Sequence, residues 1–219
     1  MSEPASLIRE ESIAPGERAV SAAPPRRNWI PTLILLLLVA AGLAFWVTLD
    51  RPPGDNSLEA GFARDMMTHH DQAVTMALLA RDRTDDPGIT AMTTDMVLTQ
   101  QNQIGQMLGW LNLWNLPATG SELPMTWMGH PTSGRMPGMA SPEEIAELES
   151  LSGEAADIQF LNLMIRHHEA ALPMAQFAEA ETSIPAVRAL ARQIADAQVI
   201  EIANMQALLD EKDPSASSS

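Results

Sequence analysis

The fold of this 219-residue chain is decided by FARDMMTHHDQAVTMA, residues 62–77, which recurs as FLNLMIRHHEAALPMA, residues 160–175. The two copies are 98 residues apart and share a Phe, a Met, a His-His doublet, an Ala and a second Met at the same positions. The register continues beyond the motif, where Pro87 pairs with Pro185, Gln100 with Gln198 and Met107 with Met205. The chain therefore contains an internal repeat, with units at 58–111 and 156–209.

Each repeat is predicted to form two helices around a proline turn, because apolar residues recur three and four positions apart and Asp85-Asp86-Pro87-Gly88 and Thr182-Ser183-Ile184-Pro185 carry stop and restart signals. One amphipathic hairpin cannot bury its own apolar stripe, so we expect two hairpins to pack as an all-α four-helix bundle over residues 58–211. A long loop at 115–141 joins the halves, and Ser141-Pro142-Glu143-Glu144 predicts the start of a short helix. Residues 212–219 form a predicted disordered tail.

Composition excludes several classes of function. The chain has 28 Asp and Glu against 13 Lys and Arg, and this net charge of -15 repels phosphate backbones, so no nucleic-acid partner is expected. It has no Cys, which excludes disulfides, thiolate zinc sites, iron–sulfur clusters and cysteine nucleophiles. Its 14 Met are therefore its only soft sulfur ligands.

An uncharged apolar segment, residues 29–49, precedes the repeats. At ~1.5 Å per helical residue its length matches a hydrocarbon core of ~30 Å, so it is predicted to be a transmembrane helix. Arg26 and Arg27 before it place a disordered segment, residues 1–28, in the cytoplasm. The main domain, after a linker at 50–57, is then an extracytoplasmic body on a single-pass anchor in the cell membrane. A cleaved signal peptide is the alternative, although its apolar region is normally ~7–15 residues long.

The helical repeat places imidazoles and thioethers on the apolar face of the first helix in each half, because successive residues turn by ~100°. Buried imidazoles need hydrogen-bond partners or a metal ion. Imidazole suits Cu, Zn, Fe and Ni, and thioether sulfur narrows the choice towards Cu(I), with Cu(II) as the alternative. The residues predicted to bind copper are His69, His70, His167, His168, Met66, Met76, Met164 and Met174.

The doubled pattern F-x3-M-x2-HH-x2-A-x2-MA resembles the DUF305 family, whose members are ferritin-like four-helix bundles and include periplasmic copper-binding proteins. The lead-in formed by Gly153, Asp157, Phe160 and Leu161 is also similar to that family's G-x3-D-x2-FL. The resemblance covers residues 58–210 and implies a ferritin-like fold, copper binding and copper tolerance. Pro173 departs from the pattern, and the backbone donor that it lacks predicts a kink just after the second doublet.

The long loop carries a second set of donors, predicted to recruit Cu(I) at an exposed secondary site. A flexible loop with no metal role is the alternative. Three tryptophans, Trp110, Trp114 and Trp127, are interpreted as packing residues. The loop donors are Met125, Met128, His130, Met136 and Met139.

An alternative hypothesis is that the histidines bind no metal. Asp65, four residues before His69, or Glu169, beside His168, would then hold the imidazoles in a salt-bridge network. The four methionines of the two motif copies would in that case be core filler.

Three functions follow from these readings. The first is a membrane-anchored, extracytoplasmic protein that binds copper ions and buffers them or passes them to a copper-handling partner protein. The second is a ferritin-like di-metal oxidase, which would draw Glu residues into the site, although Asp71 and Glu169 fall off the histidine face. The third is a metal-free structural subunit of a membrane complex. We expect a binding protein rather than an enzyme, and we identify no catalytic residues and no phosphate-cradling loop.

Overall fold

The computed structural model describes residues 28–49 and 51–213, without the side chains of 44–49. The predicted N-terminal disordered segment up to residue 27 and residues 214–219 of the predicted tail lie outside this range. The described part of the chain is all-helical and contains no strand. Its α-helices are α1 (Ile30–Leu49), α2 (Leu58–Arg81), α3 (Pro87–Leu113), α4 (Pro142–Ser150), α5 (Glu154–Glu181) and α6 (Pro185–Lys212).

Helix α1 contains the apolar segment that was expected to cross a membrane. Among the residues described, no helix combines the length and the apolar character that a bilayer span requires. The predicted transmembrane helix is therefore not supported.

The helix ends follow the signals carried by the sequence. Asp86 caps α3 by accepting hydrogen bonds from two backbone N–H groups of the first turn, and Pro87 occupies the first helical position. Ser141 and Glu144 form a reciprocal capping box at the start of α4, which confirms the predicted short helix. These caps place the turns, and the turns set which helices are neighbours.

Helices α2 and α3 form one hairpin, α5 and α6 form the other, and α2 packs against α5. Two apolar clusters fill this arrangement. The first cluster combines Phe62 and Met66, early in α2, with Met174, late in α5. The second cluster combines Met76, late in α2, with Met164, early in α5. The two motif helices therefore run antiparallel, and the repeats are related by an approximate two-fold axis.

Pro173 lies inside α5 and does not end it, since the helix runs unbroken from Glu154 to Glu181. Met174, directly after the proline, is fully buried in the first cluster. Its repeat-equivalent Met76 is likewise fully buried in the second cluster. The missing backbone donor therefore leaves the second motif copy in register with the first.

Candidate metal centre

Four histidines meet where α2 and α5 cross. His69 and His70 lie on α2, His167 and His168 lie on α5, and none is more than 1% exposed. The ring centroids of His69 and His167 are 3.7 Å apart, and those of His167 and His168 are 6.2 Å apart. Along each helix the doublet separates the residues of the first apolar cluster from those of the second. The fold thus gathers both doublets into one buried polar layer, which we call the histidine layer.

Two of the imidazoles donate hydrogen bonds to backbone carbonyls. Nε2 of His69 lies 3.2 Å from the carbonyl oxygen of Pro137, and Nε2 of His167 lies 2.9 Å from the carbonyl oxygen of His69. A carbonyl oxygen can only accept, so both Nε2 atoms carry the ring proton.

The other two imidazoles donate to side chains on the second helix of their own hairpin. Nε2 of His70 lies 2.7 Å from Oε1 of Gln103, and Nε2 of His168 lies 2.7 Å from Oε2 of Glu201. Each partner follows its histidine by 33 residues, so Gln103 and Glu201 are equivalent in the two repeats. These contacts fix the orientation of the rings and place the proton on Nε2.

The remaining ring nitrogen, Nδ1, is buried and has no hydrogen-bond partner in any of the four histidines. Because Nε2 carries the proton, Nδ1 of each neutral ring presents a lone pair, and a buried acceptor without a partner is costly. A metal-ligating histidine usually donates its other ring N–H to a carboxylate, amide or carbonyl oxygen, as all four do here. The donor chemistry of the histidine layer therefore fits a metal ion that accepts nitrogen ligands.

Burial keeps the rings of His69, His70 and His167 neutral. Desolvation lowers the pKa of His69 to about 4 and the pKa of His70 to about 3. Desolvation, reinforced by repulsion from the charged forms of the neighbouring rings, lowers the pKa of His167 well below its ordinary value. At neutral pH the lone pairs of these three residues are therefore free of protons, which metal binding requires.

The four predicted methionine ligands are fully buried on either side of the histidine layer. Met66 and Met174 belong to the first apolar cluster, and Met76 and Met164 belong to the second. This burial suits core packing as well as metal binding, so their role as ligands stays a prediction.

Among the described residues, no group of three or more His, Asp or Glu side chains is placed to hold a metal ion. An ion at the histidine layer would therefore be held by one or two imidazoles together with donors of another kind. The thioethers that flank the doublets along both helices are the soft donors available.

The loop methionines do not form the exposed secondary site predicted from the sequence. Met125 and Met136 are only 6% and 4% exposed and belong to the first apolar cluster. Met128 and Met139 are partly buried against that cluster, and His130 alone is exposed. The prediction of one exposed set is wrong, because the loop folds back and its apolar side chains join the core.

The alternative in which a salt-bridge network holds the imidazoles without a metal was assigned to the wrong carboxylates. Asp65 accepts hydrogen bonds from the backbone N–H of Met125 and from Nε1 of Trp127, both at 2.7 Å. Burial raises the pKa of Asp65, although these two hydrogen bonds act in the opposite direction. Glu169 is exposed to solvent. Asp65 therefore anchors the loop and Trp127, which packs as predicted against Phe62.

Sequence reasoning missed Gln103 and Glu201 as partners of the histidines. The available signal was their spacing, since each follows the second histidine of its doublet by 33 residues in the offset register. No such signal existed for the Pro137 carbonyl, because that residue lies in the loop between the repeats.

Residues 136–140 of this loop lie across the histidine layer. Gly138 has a φ of 77° and approaches α5 so closely that a Cβ atom there would lie 2.4 Å from Cβ of Ala170. The side-chain amide of Gln72 pairs with both the N–H and the carbonyl of Ala140, at 2.7 and 3.0 Å. The segment therefore closes the layer from solvent on that side.

A cavity of about 330 Å³ lies beside Arg64 and Trp127. None of the four buried histidines lines it. The guanidinium of Arg64 is already engaged by Asp55 and by the carbonyl of Pro117. This cavity is separate from the histidine layer.

Solved structures of similar chains share this architecture. The DUF305 protein of Streptomyces coelicolor is 43% identical, with a TM-score of 0.70 over 73% of this chain and 96% of that chain. The DUF305 fragment from Deinococcus radiodurans is 34% identical, with a TM-score of 0.61 over 70% of this chain and 96% of the other. CopM in its Cu(II)-bound form is 22% identical, with a TM-score of 0.58 over 71% and 97% of the two chains, and this likeness shows the shared fold.

A shorter match joins this chain to uncharacterized protein L153 of Acanthamoeba polyphaga mimivirus, 39% identical over 46 residues. That match spans 21% of this chain and 30% of the viral protein's length. The family described as a domain of unknown function, DUF305, matches residues 59–209, which is more than half of the chain and confirms the resemblance carried by the doubled motif. The chain belongs to the DUF305 family.

Proposed function

We propose that this protein binds copper at the histidine layer and serves copper homeostasis or tolerance. The observation that carries the proposal is the set of four buried Nδ1 atoms without partners on rings whose Nε2 atoms all donate hydrogen bonds. CopM, which shares the fold, has Cu(II)-bound, Cu(I)-bound and silver-bound forms. That likeness supports the choice of copper among the metals that imidazole accepts.

The residues that would hold the ion are the imidazoles of the two doublets and the thioethers beside them. Bound copper would supply a soft cation for lone pairs that have no other partner. The protein's own contribution is to hold the rings neutral, to fix their tautomer through Nε2 and to exclude water. The net charge of -15 would raise the local concentration of cations. The ions are then taken up for buffering or for transfer to a copper-handling partner.

A binding protein is favoured over a di-metal oxidase. Oxidase sites in helical bundles draw several Glu residues and Glu-x-x-His pairs into one interior site. Here Glu201, the carboxylate at the histidine layer, accepts a hydrogen bond from Nε2 of His168 and is therefore not a free ligand. The metal-free structural subunit leaves unexplained the four buried Nδ1 atoms that have no hydrogen-bond partner.

The location of the bundle and its ferritin-like character are also part of the proposal. The uncharged run at 29–49, with Arg26 and Arg27 before it, supports an N-terminal anchor that places the bundle outside the cytoplasm. The two antiparallel hairpins support a bundle of the ferritin-like kind.

The test is a copper count on the purified full chain. We expect wild-type protein, loaded with Cu(I) under reducing conditions or with Cu(II), to retain copper that a variant with all four buried histidines changed to Ala has lost. His130→Ala, which changes an exposed histidine, is the matched control and should retain it. His69→Gln and His168→Gln test the same point if the fourfold variant does not fold by circular dichroism. Equal copper in wild type and in the buried-histidine variants would overturn the proposal, and retention of Fe(II) with oxygen consumption would favour the oxidase.

A further inference from the structure

The two halves of the histidine layer differ in the charge of one outer partner. Gln103 on α3 and Glu201 on α6 are equivalent in the repeats. Each accepts a hydrogen bond from Nε2 of its histidine, with a nitrogen–oxygen distance of 2.7 Å. His70 therefore donates to a neutral amide, whereas His168 donates to a carboxylate.

Among the four partners of the Nε2 atoms, Glu201 alone carries a charge. Gln100 and Gln198, one turn earlier on the same helices, are identical in the two repeats and are both 3% exposed. Each also has a buried Oε1 atom without a hydrogen-bond partner. These glutamines are the same in both halves and do not contribute to the difference in charge. That difference lies between Gln103 and Glu201.

A carboxylate partner changes what its histidine can bind. By accepting a hydrogen bond from the Nε2–H group, the carboxylate makes the ring a more basic ligand at Nδ1 than an amide partner does. It also adds one negative charge, whose attraction for a bound ion grows with the charge of that ion. A carboxylate therefore favours a doubly charged ion more than a singly charged one.

We propose that Glu201 makes the two halves unequal, so that the half containing His168 binds Cu(II) more tightly than the half containing His70. Glu201 is a positioning residue, since it acts through its hydrogen bond with Nε2 of His168. This inference rests on the proposed copper binding and adds which half fills first and what selects the oxidation state. The side chain of Glu201 is 25% exposed, so solvent screens part of its charge and moderates the effect.

Four full-length proteins test the inference: wild type, Glu201→Gln, Gln103→Glu and the double exchange. Affinities for Cu(II), and for Cu(I) under anaerobic reducing conditions, are measured by competition with chelators of known affinity. Glu201→Gln should weaken Cu(II) binding about 10-fold, at the low end of effects seen for outer partners, and Cu(I) binding by less than about 3-fold. Gln103→Glu should strengthen Cu(II) binding at the other half.

The double exchange keeps the composition and net charge of the wild type. It should therefore bind the first Cu(II) as tightly, while the paramagnetic broadening of ring signals moves from His168 to His70. A general disturbance of the fold would instead weaken both oxidation states together and would not transfer the broadening.

Two results would overturn this inference without overturning the proposed copper binding. One is copper binding that requires the buried histidines but keeps the same Cu(II)-to-Cu(I) affinity ratio in Glu201→Gln. The other is first-equivalent broadening that stays at His168 in the double exchange. Absence of histidine-dependent copper binding in the wild type would overturn the proposed function as well, and the copper count distinguishes that case.

Discussion

The imidazole rings of His69 and His167 lie against each other with centroids 3.7 Å apart and planes inclined by 36°. The two residues are 98 positions apart and equivalent in the repeats, so the approximate two-fold axis passes between them. Their hydrogen bonds break this symmetry. His167 donates to the carbonyl of His69, whereas His69 donates to the carbonyl of Pro137, which lies outside the repeats. The connecting loop therefore makes the centre of a duplicated bundle asymmetric.

The stability of the metal-free protein should fall in acid. The folded-state pKa values, about 4 for His69 and about 3 for His70, lie below the ordinary value of 6.5 that the unfolded chain would have. Below about pH 6.5 the unfolded chain takes up protons that the folded chain refuses, so the free energy of unfolding decreases until the pH reaches the folded-state values. Urea denaturation between pH 8 and about pH 4 measures this loss.

The matched control for the acid effect is His130→Ala, which removes an exposed histidine and should leave the pH dependence unchanged. Replacing His69 and His70 together by Gln should make the free energy of unfolding less dependent on pH. A urea midpoint that rises as the pH falls from neutral towards 5 would contradict the burial of neutral rings.

Gly138→Ala should destabilise the protein more than Gly129→Ala. Both glycines have φ near 78°, so a side chain at either position carries a left-handed backbone cost of about 1–2 kcal/mol. Only Gly138 also has a neighbour, since the new Cβ would lie 2.4 Å from Cβ of Ala170, whereas Gly129 has nothing within 4 Å. We expect an additional loss of about 1–3 kcal/mol for Gly138→Ala, measured by urea denaturation. Equal losses would show that residues 136–140 can move away from α5 without cost.

Methionine ligands can be distinguished from methionine core filler by replacement with Leu. Met66→Leu and Met174→Leu nearly conserve volume, so each should cost less than about 1.5 kcal/mol in stability. If their sulfurs bind Cu(I), its affinity should nevertheless fall by at least about tenfold, which is about 1.4 kcal/mol. Met107→Leu, at another fully buried methionine of the same cluster, is the control and should leave Cu(I) affinity unchanged. Unchanged affinity in all three variants would assign Met66 and Met174 to packing.

Asp157→Asn should weaken the contact that holds the end of α6 against α5. Nζ of Lys212, at the end of α6, lies 3.1 Å from Oδ2 of Asp157 and 2.6 Å from Oδ2 of Asp86 on the other hairpin. Asp157 is 2% exposed, and the loss of a buried partner typically costs 3–5 kcal/mol, but Asp86 remains to pair with the lysine. We expect a loss of about 1–3 kcal/mol in thermal or urea denaturation.

The control for this ion pair is Asp196→Asn, because Asp196 pairs with Arg192 on the exposed surface of α6. Exposed pairs contribute roughly 0–1 kcal/mol, so this change should be close to neutral. Similar small losses in both variants would show that the pair of Lys212 and Asp157 does not stabilise the fold.

Much of the fold could be predicted because its signals are local and are repeated. Asp86 and Pro87 mark a helix start wherever the chain places them, and Ser141 with Glu144 forms a capping box between neighbouring residues. The duplicated motif indicated two hairpins before any contact was known. The apolar run at 29–49 gave an equally strong local signal, yet no helix in the described part of the chain qualifies as a membrane span.

Much of the site could not be predicted, because its contacts join distant elements. Asp65 lies only four residues before His69 in the sequence, but its oxygen faces Met125 and Trp127 instead. The burial of Met125 and Met136 depends on where the loop returns to the bundle. A loop without a periodic pattern carries no sequence signal of that path.

The amino-acid pattern was sufficient to predict a duplicated helical unit whose histidines lie on an apolar face, because periodicity and caps depend on neighbours within a few turns. Which nitrogen of each imidazole is left without a partner could be read only from the packed bundle. That choice depends on which acceptor a second helix or the loop brings to Nε2, as Glu201 does for His168 and the Pro137 carbonyl does for His69. Hydrogen bonds between distant segments form only when packing fixes both partners, and the packing of this chain leaves four buried Nδ1 atoms without a partner.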